Sequence, residues 1–309
     1  MKRPGLNVAG VLLLDKPAGF SSNAALGRAR RLLGGVKAGH TGTLDPFATG
    51  LLPIAVGEAS KYSRFLLDAT KGYTAVLKLG ETSSTGDPEG EILERRPVNV
   101  TTDQIAAVLA GFLGPQQQVP PMYSALKRDG VPLYRLAREG IEVERAPRDI
   151  TIHELTLTSW DGVDRLAIHV LCTKGTYVRV LAEDIGKALG CGAYLVELRR
   201  TRVGSFHLDQ AITLDALEAV PEADRQKCLL AADALAVDLP EIRVAREQAF
   251  ALMQGKSIAW EPVLAGEQRV YGPDGRFLGV VEPVMRGGGR VLLPVRMMSP
   301  ESAAPLQTP

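Results

Sequence analysis

The chain combines two hydrophobic periods, one typical of strands and one typical of helices. Strands are predicted by the apolar run GVLLL at 10–14 and by the alternating pattern ITIHELTLTSW at 150–160. Further strand patterns are KGYTAVLKLG at 71–80 and LAIHVLC at 166–172. Several gaps between these runs have hairpin length, which favours antiparallel pairing. We therefore expect an α+β fold with a mixed, mainly antiparallel sheet.

The first predicted helix follows a candidate N-cap at Ser21 and ends at Gly34. Its polar face carries Arg28, Arg30 and Arg31, which form either a solvated surface or a contact for an anionic partner. The same apolar spacing predicts further helices at 58–69, 102–113, 132–139 and 177–190.

The composition changes near residue 240. Residues 208–239 are acidic, rich in Ala and Leu, and predicted to be helical. After them, EIRV, a helix in REQAFALMQG and strands around the turn at 273–275 predict a compact β-rich module that ends near Met298. We therefore predict a catalytic domain at 1–240, a small β-rich domain at 241–299 and a disordered tail at 300–309.

The charge is balanced overall but not along the chain. The 309 residues contain 36 Lys and Arg against 35 Asp and Glu, a net charge of +1, which excludes a polycationic tail. Residues 1–50 carry seven basic and two acidic residues, a net +5, whereas residues 201–250 carry five and nine, a net −4. A local basic face for nucleic acid is therefore compatible with the neutral total.

No cofactor or metal signature is present, so we expect neither. Cys172, Cys191 and Cys228 are widely spaced and are predicted to be buried thiols in a reducing compartment. The glycines around His40 have the spacing of a phosphate-binding loop, but His40 replaces the required Lys. No run of apolar residues is long enough to predict a transmembrane helix.

Asp45 is the candidate nucleophile. It lies in GHTGTLDP, and an aspartate is already ionised at neutral pH, so it needs no separate base. Alone, the alternative that Asp before Pro organises a turn is stronger. Arg179, in CTKGTYVR, is of a type that holds a carboxylate ionised and oriented. Three closely spaced arginines form a candidate phosphate contact or a solvated edge strand: Arg199, Arg200 and Arg202.

Six motifs in order resemble the TruB family of tRNA pseudouridine synthases. They are GVLLLDKPAGFSS, GHTGTLDPFATGLLP, KGYTAVLKLGETSSTGDPEG, PPMYSALKRDGVPLYRLAREG, CTKGTYVRVLAEDIG and LRRTRVGSF. The resemblance covers about residues 8–210. It implies the pseudouridine synthase fold, followed by an RNA-binding domain of the PUA type.

The resemblance also implies the activity, which is isomerisation of uridine 55 in the T-loop of tRNA without a cofactor. Asp45 is then the nucleophile on a flipped nucleotide, and attack at the ribose and attack at the base both remain open. Arg179 pairs with Asp45, while Tyr73 packs on the base and abstracts a proton late in the reaction. The remaining residues are assigned to substrate and RNA binding: His40, which enters the vacated space, Tyr177, Leu198, Lys16 as a structural or RNA-contacting residue, and Arg199, Arg200 and Arg202.

The predicted partner is the T-arm and elbow of tRNA, bound by a cytoplasmic monomer with no obligatory protein partner and no membrane association. The basic face near 28–37 and the three arginines at 199–202 are expected to line one cleft. Two other interpretations stay open. One is an RNA-folding chaperone for the tRNA elbow, and the other is a guide-RNA-dependent synthase. The lack of long basic extensions favours the stand-alone bacterial type.

Overall fold

Two β-sheets and their covering helices form the part of the chain that the computed structural model describes, residues 8–299. The tail predicted at 300–309 lies outside these residues.

The strands divide into a large sheet, a C-terminal sheet and two small hairpins. In chain order they are β1 (Gly10–Lys16), β2 (Ala38–His40), β3 (Thr49–Val56), β4 (Lys71–Leu79), β5 (Glu81–Ser83), β6 (Ile92–Arg95), β7 (Gly114–Gln118), β8 (Lys127–Arg128), β9 (Val131–Pro132), β10 (Arg148–Trp160), β11 (Arg165–Cys172), β12 (Ala193–Val203), β13 (Phe206–His207), β14 (Ile212–Thr213), β15 (Glu241–Arg243), β16 (Ile258–Ala259), β17 (Gln268–Tyr271), β18 (Phe277–Arg286) and β19 (Gly289–Met297).

The helices are short and lie mainly over the faces of the sheets. The α-helices are α1 (Ser22–Leu32), α2 (Arg64–Leu67), α3 (Thr102–Gly111), α4 (Leu133–Arg138), α5 (Val178–Ala188), α6 (Leu214–Ala219) and α7 (Arg246–Met253). The 3-10 helices span Gly57–Tyr62, Leu208–Gln210, Glu222–Cys228 and Ala232–Ala236.

The large sheet has the order β14-β1-β3-β12-β4-β11-β10-β7, with β2 added to β3 and β13 to β12. Only the β1–β14 and β3–β12 pairs are parallel among its described pairs. The predicted α+β fold with a mixed, mainly antiparallel sheet is therefore confirmed. The β3–β12 junction joins the halves of the sheet, and the chain enters it directly after the loop that carries Asp45.

Gly50 makes this junction possible. It pairs with Arg200 and has φ = +101°, a conformation that side chains rarely adopt. A Cβ at position 50 would lie 2.3 Å from the backbone oxygen of Arg200. The two strands can therefore approach closely only because residue 50 has no side chain.

Gly50→Ala is expected to lower the free energy of unfolding by about 4 kcal/mol or more, because strain and a backbone clash act together. Gly162→Ala is the matched control, since Gly162 has φ = +81° with open space around it. The control should lose only about 1–2 kcal/mol. Urea denaturation measures both variants, and equal losses would contradict the close-approach argument.

The apolar run in β1 packs on both of its faces. Leu12 and Leu14 pack with α1 and α6, whereas Val11 and Leu13 pack toward the C-terminal sheet. A strand that is buried on both sides needs a continuous apolar sequence, which is why GVLLL does not alternate.

A second core lies between the other half of the sheet and the helices α3 and α5. In α5, Val178, Leu181, Ala182 and Ile185 occupy one helical face and are buried there. This packing fixes the first turn of α5, which carries Arg179, against the sheet.

The C-terminal β domain has the order β15-β17-β18-β19-β16 and packs directly on the large sheet. Val280 and Met298 share a core with Tyr62, and the Tyr62 and Phe277 rings meet edge to face at 5.2 Å between centroids. The Lys61 ammonium also donates a 3.1 Å hydrogen bond to the backbone oxygen of Met297. The predicted β-rich end near Met298 is therefore present, and it contributes to the core of the whole molecule.

The prediction of one continuous α-helix at 58–69 is wrong. The structure has a 3-10 helix at Gly57–Tyr62, followed by the single turn α2. The hydroxyls of Ser60 and Ser63 donate to the carbonyls of Gly57 and Ser60, at 2.7 and 3.0 Å. Such bonds to backbone oxygens compete with a regular α-helix.

The acidic segment predicted as helical at 208–239 is also mostly irregular. Its one α-helix, α6, begins after the N-cap Thr213, whose side chain accepts from Ala216, and ends before Pro221. The rest contains three 3-10 helices, the short strand β14 and irregular connections. Proline at 221 removes a donor and prevents the helix from continuing.

The cysteine prediction is partly confirmed. All three thiols are free, but only Cys172 and Cys191 are buried, while Cys228 is half-buried. Burial raises the pKa of Cys172 to about 11, so this thiol stays protonated near neutral pH.

Candidate active site around Asp45

Asp45 lies in the loop at 41–48, which connects β2 to β3. Two buried cations hold this loop. The Lys16 ammonium donates to the carbonyl oxygens of Pro17, Phe20 and Pro46 at 2.9, 2.7 and 3.2 Å. The Arg200 guanidinium lies on the other side and donates to backbone oxygens within and just beyond the loop.

Lys16 is a structural residue in this arrangement. Its side chain is fully buried, and burial lowers its pKa to about 8, against the opposing charge of Asp45. A buried ammonium that is occupied by three carbonyls cannot reach a phosphate. The predicted RNA contact of Lys16 is therefore wrong, and its structural alternative applies.

Arg200 is likewise misassigned by the sequence pattern. Its side chain is buried, and it donates to the carbonyls of Leu51, Gly42 and Thr43 at 2.7, 3.1 and 3.5 Å. It fixes the loop and cannot contact RNA phosphates, so the predicted direct contact is corrected.

Arg179 forms an ion pair with Asp45. Its Nε donates to Oδ2 of Asp45 at 2.9 Å, and its Nη2 lies 3.4 Å from Oδ1. The remaining donors bind the carbonyls of Thr85 and Tyr123 at 2.9 and 2.6 Å. Arg179 is buried, whereas the Asp45 side chain is 35% exposed. The pair thus presents a carboxylate at the surface on a guanidinium that is fixed by the backbone.

A second carboxylate, Asp87, lies near the same guanidinium. Its Oδ2 is 3.4 Å from Nη1 of Arg179, and its side chain is buried. The Thr85 hydroxyl and the Glu89 backbone N–H bind its other oxygen at 2.5 and 3.0 Å. Arg179 is therefore shared between two acids, of which Asp45 is the accessible one.

Burial raises the pKa of Asp45 above the ordinary aspartate value, and the negative charge of Asp87 adds to this rise. The charge of Arg179, its hydrogen bonds and the charge of Lys16 oppose the rise. Partial burial and a fixed cation together make a carboxylate that is less well solvated than a surface aspartate.

An apolar patch adjoins this carboxylate. Leu44, Tyr73 and Leu198 belong to one buried cluster, and Tyr73 in β4 pairs with Arg200 in β12. Burial raises the pKa of Tyr73, whereas Arg200 beside its hydroxyl lowers it. Tyr177, the N-cap of α5, lies close enough for Asp45 to affect its pKa. The fold thus brings Arg179, Tyr73 and Tyr177 close to Asp45, and Leu198 belongs to the same apolar cluster as Tyr73 and Leu44.

His40 lies at the end of β2, just before the loop. Its Nδ1 accepts from the Gly42 N–H at 3.4 Å, and the side chain is partly exposed. Burial and the charge of Arg200 lower its pKa, so the ring is neutral near pH 7. A neutral ring beside the loop is suited to stacking rather than to an ionic contact.

The three arginines of β12 do not form one phosphate-binding row, because buried Arg200 lies on the other face. In the pairing with β4, Arg199 and Arg202 lie opposite Thr74 and Gly72, and Arg200 lies opposite Tyr73 between them. Arg199 donates to Asp15 at 2.6 Å and to Thr49 at 3.2 Å, and Arg202 donates to the carbonyl of Gly204 at 2.9 Å. Both of these side chains are partly exposed.

Three residues that position the site were not identified from the sequence: Ser22, Asp87 and Gln118. Asp87 stands in TGDPEG, where Asp before Pro carries the same turn signal as at Asp45. Ser22 and Gln118 are polar residues that are buried only because they bind backbone groups. No local pattern distinguishes such residues from a solvated Ser or Gln.

Within 8–299, no group of three or more His, Cys, Asp or Glu is placed to hold a metal ion. No helix of that part of the chain is long and apolar enough to cross a membrane.

Comparison with protein families accounts for most of the chain. The model described as TruB family pseudouridylate synthase (N terminal domain) matches residues 30–178. The models for the tRNA pseudouridylate synthase B C-terminal domain and for Pseudouridine synthase II TruB, C-terminal, match 179–236 and 240–298.

Individual proteins match over nearly the whole length. tRNA pseudouridine synthase B of Aromatoleum aromaticum is 55% identical over 96% of this chain and 95% of its own. The protein of the same name from Dechloromonas aromatica is 52% identical over 96% and 98%. A solved chain of a Cbf5-Nop10-Gar1 complex is 25% identical, with a TM-score of 0.71 over 96% of this chain and 87% of that one. From these matches, the chain belongs to the TruB family of pseudouridylate synthases.

Proposed function

We propose that this protein is a tRNA pseudouridine synthase that converts uridine 55 of the T-loop to pseudouridine, with Asp45 as the nucleophile. The observation that carries this proposal is the partly exposed Asp45 carboxylate, held by buried Arg179 in the same part of the fold as the apolar cluster of Leu44, Tyr73 and Leu198. This arrangement places a fixed anion next to a surface on which a base can stack. The names and identities of the relatives support tRNA as the substrate.

The reaction needs no net change in atoms. The bond between the ribose and N1 of uracil breaks, the base rotates, and a bond from the ribose to C5 forms, while C5 loses a proton and N1 gains one. Asp45 attacks the nucleotide and forms a covalent intermediate with one of its two parts, with the ribose or with the base according to the site of attack, while the pocket holds the other part. Arg179 keeps the carboxylate ionised and oriented, and so reduces the entropy lost on reaching the reactive geometry.

Tyr73 and Leu198 are assigned to the uracil ring. Stacking on an aromatic side chain returns about 1–3 kcal/mol per base, which offsets part of the few kcal/mol that nucleotide extrusion costs. Burial keeps Tyr73 protonated near neutral pH. Tyr73 can accept the C5 proton only as a phenolate, so its hydroxyl first gives its own proton to N1 of the detached uracil, which must gain one. Neighbouring Arg200 stabilises the phenolate until it takes the proton from C5.

The RNA contacts follow from the same geometry. His40 borders the loop and is assigned to the space left in the T-loop by the extruded nucleotide. Tyr177 lines the pocket, and Arg199 and Arg202 are the arginines of β12 assigned to the RNA backbone. We assign residues 1–240 to catalysis and the PUA-like domain at 241–299 to the acceptor side of tRNA. The proposed state is a cytoplasmic monomer without a cofactor, a membrane or an obligatory protein partner.

The direct test of the activity uses a T-arm stem–loop transcript with the purified protein. Nucleoside analysis of the digested RNA should show one pseudouridine per molecule, at position 55. A transcript with cytidine at that position should show none. Unmodified RNA after prolonged incubation, or modification at another uridine, would contradict the proposal.

Salt dependence tests the proposed interface. The basic helix α1 is partly neutralised, because Arg28 pairs with Glu218 and Asp215 of α6 at 2.5 and 3.4 Å. The acidic segment therefore packs on the basic face that was expected to line the cleft. We expect the slope of log K against log salt to correspond to fewer than about ten phosphates. Fluorescence anisotropy at several salt concentrations measures it, and a steeper slope would mean that a larger surface binds RNA.

A further inference from the structure

Two buried side chains hold the backbone immediately before the two members of the ion pair. The Ser22 hydroxyl accepts a 2.8 Å hydrogen bond from the Leu44 N–H and donates one of 3.0 Å to the Leu44 carbonyl. The Gln118 amide does the same at Tyr177, accepting from its N–H at 2.8 Å and donating to its carbonyl at 3.2 Å. Leu44 directly precedes Asp45, and Tyr177 lies two residues before Arg179.

Each two-point contact fixes a residue that no strand pairs with, although the Tyr177 carbonyl also accepts the first helical hydrogen bond of α5, from Leu181 at 3.1 Å. Leu44 lies in the loop at 41–48, outside any strand, and Tyr177 is an N-cap whose own side chain makes no capping bond. Binding both the N–H and the carbonyl of one residue sets the direction of the chain there, as a neighbouring strand would. Ser22 and Gln118 are only 2% and 5% exposed, so water does not compete strongly for these bonds.

The contact at Gln118 also connects to Arg179 by a second route, through the segment that follows β7. Gln118 ends the edge strand β7, and five residues later the Tyr123 carbonyl accepts from Arg179 at 2.6 Å. The segment from 118 to 123 is thus joined to α5 at both of its ends. A shift at Gln118 changes the carbonyl that orients Arg179 as well as the start of the helix that carries it.

We propose that Ser22 and Gln118 are positioning residues that set the distance and angle between Asp45 and Arg179. This inference rests on the proposed role of Asp45. Neither residue touches the reacting atoms, because each acts through the backbone that it binds. Losing either contact lets one member of the pair move, which weakens the ion pair without removing either charge.

The test compares Ser22→Ala and Gln118→Ala with two matched controls. Ser21→Ala removes the neighbouring hydroxyl, which caps α1 by accepting from Ala24. Gln117→Ala removes the adjacent amide, which binds the exposed side chain of Asp149. The controls therefore lose a hydrogen bond of similar kind at the same place in the fold, but one that does not reach Leu44 or Tyr177.

We expect Ser22→Ala and Gln118→Ala to lower kcat about 10- to 100-fold, as a misplacement of about 1 Å does, with the Kd for a T-arm stem–loop within about twofold of wild type. The acid limb of the pH–rate profile should move to higher pH, because a looser Arg179 no longer holds down the pKa of Asp45 as strongly. A purely structural role would lower the melting temperature and leave that limb in place. The controls should keep both kcat and the acid limb.

Gln118→Met provides an internal check that does not depend on a cavity. It keeps about the same side-chain length but loses both hydrogen bonds to Tyr177, so its kcat should fall as far as that of Gln118→Ala. Asp45→Asn is run beside these variants. If Asp45→Asn is inactive while Ser22→Ala and Gln118→Ala behave like their controls, the positioning role is wrong. If Asp45→Asn is active, the proposed role of Asp45 as the nucleophile fails, and with it the basis of this inference.

Discussion

Asp45→Asn is expected to abolish pseudouridine formation while RNA binding is retained. The amide has nearly the same shape but is uncharged and a poor nucleophile, so the covalent step is lost. We expect a fall in turnover of at least about 10⁴-fold, the scale on which loss of a nucleophile acts. Nucleoside analysis of a T-arm stem–loop measures turnover, and fluorescence anisotropy measures binding.

The variant should fold, because Arg179 keeps Asp87 at 3.4 Å and its two backbone carbonyls. Asp68→Asn is the matched control, since Asp68 is exposed and pairs with Lys174 at the surface. The control should keep full turnover. Equal losses in both variants would show that the effect does not come from the site.

Arg179→Ala is expected to lower turnover about 10²- to 10³-fold, the cost of removing a preorganised donor from an active site. It leaves Asp45 and buried Asp87 without their shared cation. The free energy of unfolding should fall by about 3 kcal/mol, at the low end for a broken buried pair because Asp45 is partly exposed. Arg179→Lys keeps the charge but loses the fork geometry, and should recover stability better than activity.

The pH dependence of Arg179→Ala follows from the same contacts. Activity requires ionised Asp45, so it is present above the pKa of Asp45 and lost as the pH falls through it. Burial already raises this pKa, and Arg179 opposes the rise. Removing Arg179 should therefore move the acid limb of the pH–rate profile to higher pH. A limb that stays in place or moves to lower pH would show that Arg179 does not act on Asp45.

The fold class was predictable because its signals are local and repeated. The alternation at 150–160 and the apolar run in β1 report which faces are buried, and both segments are strands. The segments at 57–67 and 208–239 could not be predicted in type. The apolar spacing of both segments fits an α-helix. In the first, Ser60 and Ser63 bind backbone carbonyls and favour a 3-10 helix, and in the second Pro221 ends the α-helix early.

The residues of the candidate site were predictable only where the order of several motifs indicated their role, because no single residue does so. Asp45 alone resembles a turn residue, and pairing with Arg179 requires a contact across 134 positions. Lys16 and Arg200 show the limit of this reasoning. The sequence around a basic residue does not indicate whether its side chain faces solvent or backbone carbonyls. The side chains of Lys16 and Arg200 both donate to backbone carbonyls. The contact of Gln118 could not be predicted for the same reason, since its partner is the backbone of Tyr177, 59 residues away.

Tritium release from a T-arm stem–loop labelled only at C5 of uridine 55 tests the role of Asp45 most directly, because the proton leaves C5 only when the new carbon–carbon bond has formed. With protein in excess, wild type should release the label completely in a single turnover. Asp45→Asn should bind the same RNA and release none. Release by Asp45→Asn at a rate near that of wild type would contradict the assignment of Asp45 as the nucleophile.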